Sequence, residues 1–285
     1  RSPPRAGWAR SVSAAPGSGP LGAPSSSPAR GRWVTGAALA GVAAVAWAYM
    51  IHEARGMNVS GVCECLGLQM GGPAHAGWSA GSLLPLFLMW AGMMVAMMLP
   101  SATPMILTFA AVSRNRRRQE RPYVPVAIFA AGYVAIWTAF SVLAALAQWI
   151  LHRQALLSPA MASRSAWLGG VLLLAAGAFQ FTPLKHTCLT HCRAPFEFIM
   201  MRWREGAGGA FRMGVEHGLF CTGCCWALMG LLFVAGVMNI LWIAALSLLV
   251  GLEKLAPRGV WLSSATGVIL TAWGAWVIAD SFHLR

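Results

Sequence analysis

From Trp33 onward the chain is built of long apolar runs separated by short polar or Gly- and Pro-rich stretches. The first run, 33–51, is long enough to cross a bilayer as a helix. Six more are predicted at 85–112, 123–151, 166–183, 215–236, 238–256 and 261–280. The pattern predicts an all-α fold, a polytopic membrane helical bundle of about seven transmembrane helices. Residues 1–32, rich in Pro, Ser, Ala, Gly and Arg, read as a disordered basic N-terminal tail. Residues 33–51 form the first transmembrane helix, 52–84 an outer loop, and 85–283 a six-helix membrane domain. Between the fourth and fifth spans, Phe196, Ile199, Met200 and Trp203 follow helical spacing and predict a short helix lying in the interface.

Composition and charge sharpen this picture. Of the 285 residues 58% are hydrophobic and 10% charged, against about 25% charged in an ordinary soluble domain. That excludes a disordered chain and weighs against a soluble enzyme. A net charge of +13 in a soluble protein would point to nucleic acid. Here topology explains it, and no nucleic-acid partner is expected. With the N-terminus in the cytoplasm, 17 of the 21 Lys and Arg residues fall on the cytoplasmic side, among them Arg114, Arg116, Arg117, Arg118 and Arg121. The other side keeps Arg55, Arg153, Arg164 and Arg285, and an odd span count puts the C-terminus there. No His lies near mid-span, which argues against a bis-His haem. Mid-span carboxylates are missing too, which lowers a proton-coupled transport reading.

The predicted spans offer sulfur instead. Five of the seven cysteines lie between 188 and 225: Cys188 and Cys192 after the fourth span, and Cys221, Cys224 and Cys225 at the start of the fifth. On helices, Cys188 shares a face with Cys192, and Cys221 with Cys224 and Cys225. Both groups are predicted at the same membrane face. Thiolates are soft ligands that select Cu(I), Zn²⁺ or iron–sulfur clusters. Lys185, Arg193 and Arg212 are placed to offset their charge. His191, His217 and Lys185 stand close enough in sequence to serve as accessory groups, and Glu253, near the inner edge of its span, is a further candidate for which an ion pair, with Lys254 or with this loop, is the plainer reading. Two other readings stay open: thiol–disulfide redox chemistry, and simple packing, since free Cys behaves as a small hydrophobe.

A methionine stripe accompanies the thiols. Met93, Met94, Met97 and Met98 lie on adjoining faces of the second span, just before Pro100 and Pro104. Thioethers are neutral soft ligands suited to passing Cu(I) along; the plainer reading is that Met fills gaps beside a proline kink. Pro100 leaves the carbonyl of Ala96 without its helix partner and Pro104 that of Pro100, with Ser101 and Thr103 at hand to help satisfy the backbone. In the outer loop, Cys63 and Cys65, with Met57, Met70 and His75, read first as incidental to a variable loop; the alternative is metal binding or exchange with a partner, ahead of a mutual disulfide, because a ring between near-adjacent cysteines is strained.

Four stretches then combine: Met93-Met94-x-x-Met97-Met98-Leu99-Pro100-Ser101; Thr182-Pro183-Leu184-Lys185-x-x-Cys188-x-x-x-Cys192-Arg193; Gly218-x-x-Cys221-x-Gly223-Cys224-Cys225-Trp226; and Met238-Asn239 with Glu253-Lys254 downstream. Over 85–283 the chain resembles a bacterial family of predicted metal-binding integral membrane proteins linked to copper handling. The resemblance implies a multi-pass protein of the bacterial inner membrane, not an enzyme, that handles copper. It also implies a copper-requiring oxidase or a soluble metallochaperone as partner, besides the bilayer itself. The reading that results is a protein that binds a soft metal ion, Cu(I) ahead of Zn²⁺, for delivery or translocation. Its alternatives are a membrane thiol–disulfide oxidoreductase and a non-metal assembly subunit.

Overall fold

The computed structural model describes residues 28–65, 80–119, 124–154 and 165–283. The predicted tail up to residue 27 and the 66–79 part of the predicted outer loop lie outside the described residues, as do the side chains of Cys63 and Cys65. Among the described residues every regular element is helical. Helix α1 (Pro28–Cys65) begins inside the predicted tail and runs on past residue 51. A 3-10 turn at Ala80–Ser82 leads into α2 (Leu83–Arg118), followed by α3 (Val126–Arg153) and α4 (Ala166–Phe179). Then come α5 (Pro183–Arg193), α6 (Pro195–Met201), α7 (Gly206–Gly230), α8 (Leu232–Ala235), α9 (Ile240–Leu255) and α10 (Gly259–His283).

Among the described residues five stretches are long and apolar enough to cross a membrane: Gly31–Gly56, Leu83–Arg117, Val126–Arg153, Gly206–Ala235 and Gly259–Phe282. Helices α4 and α5 make a sixth only as a pair, bent by 64°. The predicted sixth span, 238–256, becomes α9, whose 16 residues reach about 24 Å at 1.5 Å per residue, short of a hydrocarbon core of about 30 Å. Of the seven predicted spans, the described residues thus show five candidates, or six with the broken pair, and a seventh is not shown. Hydropathy registers how apolar a run is; a turn of the chain inside it goes unseen.

The breaks have local causes. At the α4–α5 joint, Pro183 has no N–H to continue the ladder. Thr182 instead donates its hydroxyl to the carbonyl of Phe179 (2.7 Å) and accepts from the Lys185 N–H (3.3 Å), starting a new helix. Before α9, Gly236 takes a φ of 100°, open to glycine at little cost. Asn239 then caps the helix by accepting from the Trp242 N–H at 3.2 Å. The Trp242 indole donates to the carbonyl of Leu231 (2.8 Å), left over where α7 gives way to α8. The Thr-Pro and Met-Asn stretches of the sequence are helix starts.

Helix α2 runs through both prolines without a break. The Ala96 carbonyl, orphaned by Pro100, is satisfied from α1, where the Trp47 indole donates to it at 3.1 Å. Ser101 and Thr103 bond the carbonyls of Met98 and Leu99 instead. Helices α3 and α7 approach through Gly132 and Gly214: a Cβ on Gly132 would collide with the carbonyl of Phe211, and one on Gly214 with that of Phe129. Gly170, Gly177, Gly267 and Gly274 perform the same service between α4 and α10. Trp90 ties α2 to α3 by donating to the buried Gln148 Oε1 at 2.6 Å.

One end of the bundle collects charge. Arg114 reaches the carbonyl of Gly31, Arg116 pairs with Glu205, and Arg202, Arg204 and Arg212 gather on Glu216 at 3.2, 3.1 and 3.5 Å. The start of α1, the end of α2 and the start of α7 therefore lie together. The predicted short helix after the fourth span is α6. It buries Phe198 and Ile199 and leaves Phe196 and Met200 exposed, so its inward face is offset from the predicted stripe.

Candidate metal centre

Cys221 stands 15 residues into α7, about 22 Å from its start at 1.5 Å per residue. Sequence reasoning put the second thiol group at a membrane face, because the fifth span was predicted to begin at 215. The helix begins at Gly206, so the group lies inside the bundle. Cys221, Cys224 and Cys225 are all buried, and none of the five described cysteines is in a disulfide.

Three helices converge on Cys221. From α9, the Lys254 Nζ donates to its Sγ at 3.0 Å and to the Ser101 Oγ of α2 at 3.1 Å. From α3, the Tyr133 hydroxyl lies 3.2 Å from the same Sγ and 3.1 Å from the carbonyl of Met98. On α7 itself, Cys224 and Cys225 donate their S–H groups to the Cys221 carbonyl at 3.1 and 3.0 Å. The Cys225 Sγ also lies 3.9 Å from the Met98 Sδ of α2. The glycine contact of α3 and α7 brings Tyr133 within reach.

The first thiol group arrives on α5. The Cys188 Sγ would be 2.7 Å from a Cβ on Gly223, so it occupies the space that glycine leaves beside α7. Cys192 is close enough to interact with both Cys221 and Cys224. The two sequence groups thus meet, with Cys192 as the nearer link.

The predicted counter-charges take other partners. Lys185 is fully buried and pairs with Glu253 Oε2 at 2.6 Å. Arg193 donates to the carbonyls of Glu253 (2.7 Å) and Pro257 (2.9 Å), and Arg212 sits on Glu216. The cation at the thiols is Lys254, which charge counting by segment did not single out. Its signal was its place next to Glu253 in a matched stretch. Lys185, His217, Glu253 and Lys254 are all buried. Tyr133 was also missed, since it looked like any aromatic in an apolar span.

The accessory histidines differ. His191 stacks on Phe220 (4.3 Å between centroids), and its Nδ1 lies 2.8 Å from the carbonyl of Thr187. Neither partner is a thiol. His217 is one helical turn before Cys221, stacked on Tyr133 at 5.3 Å, with neither ring nitrogen hydrogen-bonded. Met93, Met94 and Met97 are buried in the core on α2; among the described contacts Met98 alone of the four reaches a thiol.

The donor chemistry suits a soft ion. Thiols from two helices, a thioether from a third and one ammonium meet in the buried interior. Among the described residues, no three His, Cys, Asp or Glu side chains are already spaced to hold an ion. Thioethers fall outside that set, and the Cys224 and Cys225 thiols are turned onto a carbonyl. Rotating them about χ1 is what ligation requires of them.

No curated protein and no solved structure gives a match to the chain. A family model described as "PpoB2: Copper chaperone" matches residues 87–277, which contain all five thiols, the methionine stripe and Lys254. The match covers well over half of the 285 residues, and the chain belongs to this copper chaperone family.

Proposed function

We propose that the protein carries Cu(I) as cargo within the membrane and hands it to a copper-requiring partner. Cys221, Cys225 and Met98 form the primary holding site, and Cys192, Cys224 and Cys188 supply thiols for exchange. The observation that carries this is the 3.9 Å approach of the Cys225 Sγ to the Met98 Sδ, beside a Cys221 Sγ held by a buried ammonium. Soft donors from α2 and α7 face one another in the buried interior, and such donors prefer Cu(I) to harder ions. Ligands can be exchanged one thiol at a time, so the ion need never be released free. His217, one turn from Cys221 and free of hydrogen bonds, is an accessory group on the same helix face. Met93, Met94 and Met97 continue from Met98 along α2 as a transfer path.

The gathering of Arg114, Arg116, Arg202, Arg204 and Arg212 at one end supports a cytoplasmic placement for that end in a bacterial inner membrane. A soluble metallochaperone at that end and a copper oxidase as recipient fit this arrangement. The test is the copper content of protein purified anaerobically in detergent, loaded with Cu(I) and freed of loosely bound ion by a chelator. Wild type is expected to keep stoichiometric copper and C221S/C225S to lose it. Equal retention by a folded C221S/C225S variant overturns the assignment.

A further inference from the structure

We propose that copper enters the protein through the cavity between α5 and α6 and meets the His217 imidazole before it reaches the thiols. This rests on the copper-holding site described above and names the route by which that site is loaded.

The cavity, about 310 Å³, lies at the charged end of the bundle, where Arg202 pairs with Glu216. Thr190 and His191 line it from α5, Phe198 and Met201 from α6, and Arg202 from the turn beyond. Two of these residues can ligate Cu(I). Met201 offers an exposed thioether. The His191 Nδ1 lies 2.8 Å from the Thr187 carbonyl, which leaves Nε2 for a ligand. A backbone carbonyl on one ring nitrogen is the usual support of a ligating imidazole.

One ring joins the cavity to the interior. Phe198 lines the cavity, is itself buried, and meets His217 edge to face at 5.7 Å between centroids. His217 is buried among Phe129, Tyr133 and Phe198, and neither of its nitrogens has a hydrogen bond. A phenyl ring would fill that space without an orphaned polar group, so packing does not account for the imidazole. An incoming soft ion does. Cys221 follows His217 by one helical turn on the same face of α7. From outside inward the donors are then Met201 and His191, His217, and Cys221, with the Phe198 ring as the barrier after the first two. Copper stays Cu(I) throughout. The imidazole binds it through a nitrogen lone pair and yields it to sulfur, and no electron is transferred.

The experiment mixes full-length protein in detergent, kept anaerobic, with Cu(I) supplied as its acetonitrile complex. Loading is followed in time by the ultraviolet Cu–thiolate absorption, and the copper finally retained is measured after a chelator wash. Wild type is compared with T190W, which fills the cavity from its outer wall, and with H217F and H217M. T190W is expected to load about tenfold or more slowly and to retain the same final copper. H217F is expected to slow loading by about tenfold or more, and H217M, which restores a soft donor, to recover most of the rate. Should H217F fail to fold, T190W still decides: loading at the wild-type rate overturns the inference. Folded H217F that loads as fast as wild type overturns it too and leaves the copper site standing. Wild type that retains no Cu(I) removes both the holding site and this route.

Discussion

The Met98 Sδ and the Cys225 Sγ lie 3.9 Å apart, on helices α2 and α7, although 127 residues separate them in sequence. The pair gives the site a donor that is soft and uncharged. Met98→Leu keeps the volume nearly constant and is expected to cost under about 1.5 kcal/mol of stability. Its Cu(I) affinity is expected to fall about tenfold or more. Thermal unfolding and chelator competition on the same preparation separate the two effects.

The Lys185–Glu253 pair is buried on both sides. Removing one partner strands a charge in the interior. Glu253→Gln and Lys185→Met are each expected to destabilise by about 3–5 kcal/mol. The double replacement by apolar residues of similar size is expected to recover most of that loss. A double-mutant cycle on thermal or denaturant unfolding in detergent checks this. Additive losses would show that the two residues act separately.

Helices α3 and α7 touch at Gly132 and Gly214, where an added Cβ meets backbone that cannot turn aside. Gly214→Ala is expected to push the helices apart, carry Tyr133 away from Cys221, and weaken both stability and copper retention. Gly223→Ala meets only the terminal Sγ of Cys188, which can rotate. It is expected to be the milder change. The order of the two unfolding temperatures tests this assignment of close contacts.

Trp47 donates to the carbonyl that Pro100 leaves open in α2. Trp47→Phe is expected to cost about 1–3 kcal/mol, the price of an unsatisfied buried acceptor. Restoring the helix bond with Pro100→Ala should remove most of that penalty, which unfolding of the double variant reads directly.

The helical class, the apolar runs and the sulfur-bearing stretches were legible in the sequence, because composition and spacing are local properties. The meeting of Cys192 with Cys221 and Cys224 was legible only as two groups on consecutive spans. Lys254 was not, since a lysine at the end of an apolar run looks like an interfacial anchor. Its inward position shows only through its partners, the Cys221 Sγ and the Ser101 Oγ, brought to it by the fold. The span boundaries were legible only in part: Thr182-Pro183 and Gly236 to Asn239 break apolar runs that hydropathy reads as whole. The neighbouring charges Lys185, Arg193 and Arg212 were visible, but partner choice depends on Glu253 and Glu216, brought to them by the fold.

Whether sulfur from α2 and α7 holds Cu(I) is read from X-ray absorption on anaerobically Cu(I)-loaded protein, comparing wild type with M98L and C221S/C225S. Expected are a first shell of sulfur alone in wild type, one sulfur fewer in M98L, and loss of the bound ion in C221S/C225S. A shell of nitrogen or oxygen donors in wild type, or one unchanged in all three proteins, would contradict that assignment.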